Sequence, residues 1–194
     1  MAKGPQYNLP FRRRRSGRTN YLKRRKLVAS GSARLVVRPS NKHIAAQIVR
    51  AQPTGDQVLA SAHSSELKEF GWKAPCGNLP AAYLTGLLAG RRAKAGGVTE
   101  AVLDIGLHAP GSRIFAVAKG AIDGGLNLPH DDSALPSKER IHGEHLESYA
   151  KKMASEPERY KKMFSGYLHQ KLKPEELGAQ FKEVEEKLKT VSGA

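Results

Sequence analysis

The amino-acid sequence predicts an α/β protein whose mixed sheet opens with three antiparallel strands and continues with alternating helix and strand. Residues 34–63 contain three runs rich in strand-forming residues, and two turn-forming stretches separate them. From Asn78 the apolar spacing becomes that of a helix, and the excess positive charge is confined to the N-terminal segment. We therefore divide the 194 residues into a basic arm (1–30), an α/β core domain (31–130) and a helical C-terminal extension (131–194).

Three strands open the predicted core domain. Residues 34–38 and 44–50 are rich in residues that favour strands, and residues 39–42 (Pro-Ser-Asn-Lys) favour a turn between them. A second break at residues 53–56 leads into the alternating segment 57–63. We expect these segments to form a hairpin and a third antiparallel strand.

A helix and a buried strand are predicted next. Asn78 is a suitable N-cap and Gly96 ends the apolar stripe, which indicates a helix between them. Gly86 and Gly90 lie four residues apart on it, and we expect close contact with the sheet there, because glycine otherwise lowers helix stability. Residues 98–105 contain a continuous apolar core, which predicts a strand buried on both faces.

The remaining segments are predicted as short elements. Ser112 is expected to cap a helix that ends before Gly124, and residues 126–128 favour a last short strand. In the C-terminal extension, Ser137 can cap a first helix, residues 155–158 form a capping box for a second, and a third begins at Pro174. The third helix has an apolar stripe that either the domain or a partner must cover: Leu177, Phe181, Val184 and Leu188.

The charge distribution points to a polyanionic partner. The chain has 33 Lys and Arg against 18 Asp and Glu, a net charge of +15. Residues 1–50 contain 14 of these cations and no carboxylate, since the first carboxylate is Asp56. A surface optimised only for solubility would intersperse both signs, so nucleic acid is the leading candidate partner.

Other classes of protein are excluded by composition. No apolar run is long enough for a membrane-spanning helix or a secretory signal. The single cysteine, Cys76, excludes an internal disulfide and agrees with a reducing compartment. We therefore expect a soluble, cytoplasmic protein with neither a membrane partner nor a small-molecule substrate.

The arm combines arginine runs with aromatic residues. Residues 11–15 read FRRRR and residues 21–26 read YLKRRK. Guanidinium groups bridge phosphate oxygens or stack on bases. Tyr7, Phe11 and Tyr21 offer surfaces that either stack on RNA bases or pack on the protein's own domain, and the sequence leaves these alternatives open. The arm is too polar to fold alone.

An enzymatic function has little support in the sequence. The predicted strand order resembles the ribonuclease H type of architecture, in which clustered carboxylates hold two metal ions. That chemistry needs several carboxylates close together, beginning on the central first strand. Here the first strand has Arg34 and Arg38 on one face, which extends the cationic surface of the arm, and Asp104 is the one carboxylate of the later strands. We predict no catalytic residues, and a metal-dependent nuclease is the least favoured interpretation.

Three histidines around the start of the C-terminal extension form the strongest candidate for a metal site. His142 and His145 lie three residues apart, and His130 precedes two aspartates. The spacing permits a site, but no extended zinc signature accompanies it, so we predict neither a metal nor a cofactor. Residues 106–112 likewise lack the spacing of a nucleotide-binding loop.

Four segments of the sequence resemble one protein family. They read ARLVVRPSNKHIAAQIV, SAHSSELKEFGW, GNLPAAYLTGLLAGRRA and EAVLDIGLHAPGSRIFAVAKGAIDGGLNLPH. They resemble the archaeal large-subunit ribosomal protein L-eighteen family, which binds 5S ribosomal RNA. The likeness extends from the arm to about residue 130 and more loosely into the extension. It implies a ribonuclease H-like, non-catalytic domain. It also implies a structural protein that attaches 5S ribosomal RNA to large-subunit ribosomal RNA in the central protuberance, beside neighbouring ribosomal proteins.

The resemblance also assigns RNA-binding residues. They belong to the arm and to the first hairpin: Arg12, Arg13, Arg14, Arg15, Arg18, Tyr21, Lys23, Arg24, Arg25, Lys26, Arg34, Arg38, Asn41, Lys42 and His43. Three cations at the end of the first long helix, Arg91, Arg92 and Lys94, are added on charge alone. The alternative that the sequence leaves open is a free RNA-binding regulator, which would use the same arm without assembling into a ribosome.

Overall fold

The fold is a four-stranded mixed sheet with helices packed on one face, in a computed structural model that describes residues 4, 5 and 7–190. The elements in chain order are α1 (Arg12–Arg15), α2 (Tyr21–Ala29), β1 (Arg34–Pro39), β2 (Ile44–Gln52), β3 (Gly55–His63), α3 (Leu79–Ala95), β4 (Val102–Asp104), α4 (Ser112–Asp123), α5 (Lys138–His142), α6 (Glu144–Met153), α7 (Pro157–Met163), α8 (Ser165–Leu168) and α9 (Leu177–Thr190). Short 3₁₀ turns lie at Glu66–Lys68, Asp132–Ala134 and Pro174–Glu176.

The strand order in the sheet is β3-β2-β1-β4. β1 pairs antiparallel with β2, β2 pairs antiparallel with β3, and β1 pairs parallel with β4. The three antiparallel strands and the mixed α/β class are confirmed. Strand alternation places Leu35, Val37 and Ile48 on the inner face, which α3 and α4 cover. The likeness to the ribonuclease H architecture stays a prediction.

The strand β4 is less buried than the sequence predicts. It spans only three residues, of which Val102 and Leu103 are half-buried. The prediction of burial on both faces is wrong because β4 lies at the edge of the sheet, where β1 is its neighbour on one side only. In place of the expected last strand, residues 126–128 contribute a single parallel bridge between Asn127 and Glu100.

Glycines line the contact between α3 and α4. Gly86 and Gly90 face α4, and not the sheet as predicted. A Cβ atom on Gly90 would lie 2.5 Å from the carbonyl oxygen of Ala121. A Cβ atom on Gly124 would lie 2.9 Å from the carbonyl oxygen of Leu87. The two helix backbones therefore touch, and this close approach explains glycine at positions where it lowers helix propensity.

Two helix starts differ from the predicted ones. The N-cap of α4 is Gly111, and Ser112 is already helical. The N-cap of α7 is Glu156, which makes no side-chain capping hydrogen bond. The predicted capping box is wrong because the hydroxyl of Ser155 donates instead to the carbonyl oxygen of Lys152, at 3.2 Å.

The C-terminal helices cover their own apolar stripe by packing on the rest of the domain. All four stripe residues are buried: Leu177, Phe181, Val184 and Leu188. The ring centroid of Phe181 lies 5.7 Å from that of Tyr83 in α3 and 5.2 Å from that of His142 in α5. The predicted first helix of this region is two helices, because Gly143 between α5 and α6 has a φ of +88°.

Gly120 of α4 is a position where a side chain should not be tolerated, because its Cβ atom would overlap the carbonyl oxygen of Tyr83. We expect Gly120→Ala to lower the free energy of unfolding by about 2 kcal/mol, since the two helices must separate to admit the methyl group. Urea denaturation followed by circular dichroism measures this change. Gly96→Ala is the matched control, because its Cβ atom would lie 3.5 Å from the nearest atoms. Equal losses in the two variants would contradict the close contact of α3 with α4.

Candidate nucleic-acid interface

The basic arm contains two helices, neither of which has a buried residue. The second, α2, begins after Asn20, whose Oδ1 accepts the backbone N–H groups of Leu22 at 3.1 Å and Lys23 at 3.2 Å. The sequence analysis names no helix in the arm, which it describes as too polar to fold alone. A helix forms here because no glycine or proline lies between Gly17 and Gly31.

The cations of the arm lie at the surface. The nine exposed residues are Arg12, Arg13, Arg14, Arg15, Arg18, Lys23, Arg24, Arg25 and Lys26. Consecutive side chains of an α-helix point about 100° apart, so residues 23–26 place positive charge around the whole circumference of α2. The ring centroids of Phe11 and Tyr21 lie 5.1 Å apart, and these two aromatic residues therefore pack on each other within the arm.

Arg34 differs from the other predicted contacts because it lies inside the protein. Its exposed fraction is 1%. Its Nη1 donates to Oδ2 of Asp104 at 2.9 Å, and its Nη2 lies 2.8 Å from Oδ2 of Asp56. Strand pairing places Val49 and Val102 on either side of it, which removes the guanidinium from solvent. Contact between Arg34 and RNA would require both ion pairs to break, so the geometry favours a structural role for this residue.

Asp56 connects the arm to the sheet. Nη2 of Arg24 donates to both of its carboxylate oxygens, at 3.0 and 3.1 Å, while Arg34 approaches from within the sheet. The ion pair holds α2 beside β3. Because the Arg24 side chain is partly exposed, the pair stabilises this position by about 1 kcal/mol or less.

Cations of the arm and of β1 meet at one small cavity. Nη1 of Arg38 donates to the carbonyl oxygens of Val37 at 2.8 Å and Asp104 at 3.2 Å, which fixes the guanidinium at the end of β1. The cavity of about 90 Å³ beside it has further cations in its lining: Arg13, Arg18, Lys23 and Arg24. Predicted contacts that are far apart in the sequence are therefore adjacent, with the charge needed to bind a phosphate group.

The turn of the first hairpin exposes Asn41 and Lys42. Ser40 closes this turn, because its Oγ accepts the backbone N–H of His43 at 3.0 Å and donates to the carbonyl oxygen of the same residue at 2.8 Å. The imidazole of His43 is half-buried, and its ring centroid lies 5.1 Å from that of His63. Two of the three predicted contacts in the turn are thus fully available at the surface.

Arg113, which the sequence analysis did not single out, fixes the hairpin turn to the helices. Its Nη1 donates to the carbonyl oxygens of Ser40 at 2.8 Å and Gly77 at 3.3 Å. A Cβ atom on Gly77 would lie 2.6 Å from the carbonyl oxygen of Asn41, so the two segments touch. One signal could have identified Arg113: a cation in the first turn of a helix is unfavourable for the helix dipole unless another group binds it.

The cations at the end of α3 lie apart from the arm. Nη1 of Arg92 donates to Oε2 of Glu66 at 2.6 Å and to the carbonyl oxygen of Ser61 at 2.8 Å. Arg91 is half-buried and Lys94 is exposed. Of the described residues that line the cavity beside Arg38, none belongs to this group.

The three histidines considered for a metal site do not converge. The ring of His142 lies against Phe181, and His130 lies 3.3 Å from Asp132. Partial burial lowers the pKa of His145, and the charge of Arg140 lowers it further. Within residues 4, 5 and 7–190, no group of three or more His, Cys, Asp or Glu is placed to hold a metal ion.

Two of the groups considered for chemistry in the sequence are buried. Asp104 forms an ion pair with Arg34, at 2.9 Å. The thiol of Cys76 is buried, and burial raises its pKa against the opposing charge of Lys68. In the part of the chain that the structure describes, no helix has the length and apolar character needed to cross a membrane.

An arm of exposed cations beside a small α/β domain is typical of proteins that bind nucleic acid. The family model described as Ribosomal large subunit proteins 60S L5, and 50S L18 matches residues 5–99, about half of the chain. The chain belongs to this family, and it is therefore a protein of the large ribosomal subunit. The match confirms the family resemblance drawn from the sequence, and it includes the arm, β1 to β3 and α3.

The buried pair of Arg34 and Asp104 predicts a strong effect of a small substitution. Asp104→Asn removes the more buried of the two counter-charges of the Arg34 guanidinium, so we expect the free energy of unfolding to fall by about 3 kcal/mol. Urea denaturation measures this fall. Asp132→Asn is the control, because the Asp132 side chain is 98% exposed and its loss should change stability by less than about 0.5 kcal/mol. If the two variants unfold at the same urea concentration, Asp104 has no such structural role.

Proposed function

We propose that this protein binds 5S ribosomal RNA and helps attach it to large-subunit ribosomal RNA in the central protuberance, as a structural component of cytoplasmic ribosomes. The observation that supports this is the arm, which exposes nine cations between residues 12 and 26 in a segment without any carboxylate. Membership of a ribosomal family makes ribosomal RNA the polyanion and neighbouring large-subunit proteins further partners.

Phosphate groups are the features of RNA that this arm is suited to bind. The deep, narrow major groove of an RNA helix hides base edges from side chains. Arginine forms paired hydrogen bonds with phosphate oxygens. Because residues 23–26 direct charge to all sides of α2, this helix fits a space with RNA backbone on more than one side. Specificity then comes from the spacing of phosphates and from loops and bulges.

The core domain adds contacts beside the arm. Arg38 continues the cationic surface from the arm onto the sheet, and Asn41 and Lys42 extend it to the hairpin turn. Arg34 serves this surface indirectly, since its ion pair with Asp56 positions the carboxylate that holds Arg24. The arm and hairpin therefore form one continuous surface for RNA.

The arm is tested by removing its first arginine run. The arm variant is Arg12→Gln, Arg13→Gln, Arg14→Gln and Arg15→Gln, and the control variant removes the same charge from exposed positions of α5 and α9, by Lys138→Gln, Lys182→Gln, Lys187→Gln and Lys189→Gln. Binding to a 5S ribosomal RNA transcript is measured over a salt series. If the wild-type arm neutralises about eight phosphates, log affinity falls against log salt with a slope of about six.

We expect the arm variant to bind at least tenfold more weakly near 0.1 M salt, with a slope lower by about three, while the control variant binds like the wild type. A transfer RNA competitor should not displace the 5S transcript. An arm variant indistinguishable from the control, or equal binding to both RNAs, would contradict the proposal. Sedimentation separately tests assembly: the protein should stay with large subunits through a high-salt wash, and presence only in light fractions would favour a free RNA-binding regulator.

A further inference from the structure

The C-terminal extension has a balanced total charge that is unevenly distributed. Residues 151–173 contain seven basic residues and two acidic residues. The flanking segments are acidic: residues 131–150 contain two basic and five acidic residues, and residues 174–194 contain three basic and five acidic residues. A strongly basic segment therefore lies between two acidic ones. We name its cations the basic patch: Lys151, Lys152, Arg159, Lys161, Lys162, Lys171 and Lys173.

The charges of the basic patch are not neutralised within the described chain. All seven side chains are exposed. Arg159 alone among them has an ion pair with another described residue, Glu156 at 3.4 Å. In α9, by contrast, Lys187 and Lys189 pair with glutamates one turn away. Exposed like charges without counter-charges repel each other, and a polyanion that binds to them relieves this repulsion.

The basic patch lies apart from the arm. The arm makes an ion pair with Asp56 on the sheet, whereas α6, α7 and α8 follow one another in contact, and α6 contacts α5 and α9, which pack on α3. Two hydrogen bonds fix these helices. The side-chain amide of Asn78, at the start of α3, donates to the hydroxyl of Tyr167 at 3.2 Å, and the hydroxyl of Tyr160 donates to Glu175 at 3.0 Å. The arm and the basic patch therefore belong to different parts of the fold.

Lys171 has a backbone conformation that glycine adopts more easily. Its φ is +55°, and it is the one non-glycine residue of the described chain with a positive φ. The backbone N–H of Lys171 donates to the carbonyl oxygen of Leu168 at 3.0 Å. The backbone N–H of Leu172 donates to the carbonyl oxygen of Tyr167 at 3.1 Å. These bonds form the helix-ending motif in which glycine usually occupies this position. A lysine is less stable than a glycine in this backbone conformation, and the Lys171 side chain is exposed.

We propose that the basic patch binds a second stretch of RNA backbone, separate from the one at the arm. This proposal rests on the proposed function in one respect, namely that the polyanion bound by the protein is RNA. Six of its seven cations are lysines, whose mobile point charges suit phosphates without base recognition. With one RNA stretch at the arm and another at the patch, the protein holds together two segments of RNA.

The test uses the full chain and a fluorescent 20-base-pair RNA duplex of arbitrary sequence. All variants also have the four substitutions of the arm variant, because these lower the contribution of the arm to duplex binding and make the contribution of the patch easier to measure. To these we add either the control substitutions defined above or the patch substitutions, which are Lys151→Gln, Lys152→Gln, Lys161→Gln and Lys162→Gln. Both sets remove four charges from exposed positions. We expect the patch set to weaken duplex binding at least tenfold and to lower the salt slope by about three, and the control set to change neither.

Lys171→Gly separates binding from folding. This variant should melt at a higher temperature than its parent, because glycine relieves the strained backbone, and yet bind the duplex about threefold more weakly. Equal effects of the patch and control sets would overturn the proposal, as would patch-dependent binding of polyglutamate as tight as that of RNA. A patch set that lowers the melting temperature would also overturn it, since the lysines would then be structural. Failure of the arm variant to lose 5S binding affects only the proposed function, because 5S binding is measured separately.

Discussion

The guanidinium of Arg34 lies between the carboxylates of Asp56 and Asp104, and the positions of three parts of the molecule depend on this contact. Asp104 belongs to β4, Asp56 to β3, and Asp56 also accepts the hydrogen bonds of Arg24 from the arm. Removing either carboxylate leaves the buried guanidinium of Arg34 with one counter-charge in place of two, and water cannot replace the lost one. A buried charge therefore sets where the exposed charges of the arm lie.

Close backbone contact provides the second constraint. The glycines of α3 and α4 let these helices touch, and the resulting layer covers the inner face of the sheet. Phe181 of α9 then packs against Tyr83 on the other side of α3. Since α3 contacts both the sheet and the C-terminal helices, it joins the part of the fold that holds the arm to the part that carries the basic patch. A protein that holds RNA segments in a fixed relation needs such a core between its contact surfaces.

Sequence reasoning was most successful where the signal is local. The strand-forming runs and turns between residues 34 and 63 identified three strands, and the carboxylate-free run before Asp56 identified the arm. It failed where the outcome depends on a distant neighbour. Whether Gly86 faces a sheet or a helix, and how much of Val102 is exposed, depends on which element packs beside it. The C-terminal charge looked balanced because the whole segment was summed.

The sequence by itself determined the class of fold, the family and the polyanionic character of the partner, since strand alternation, motif residues and net charge are properties of the chain in any conformation. Only the tertiary structure decided that Arg34 is internal while Arg38, four residues later on the same face, is at the surface. The physical reason is that burial depends on the strands and carboxylates that surround a residue in space. Asp56 and Asp104 reach Arg34 through chain folding, and no spacing along the sequence encodes that meeting.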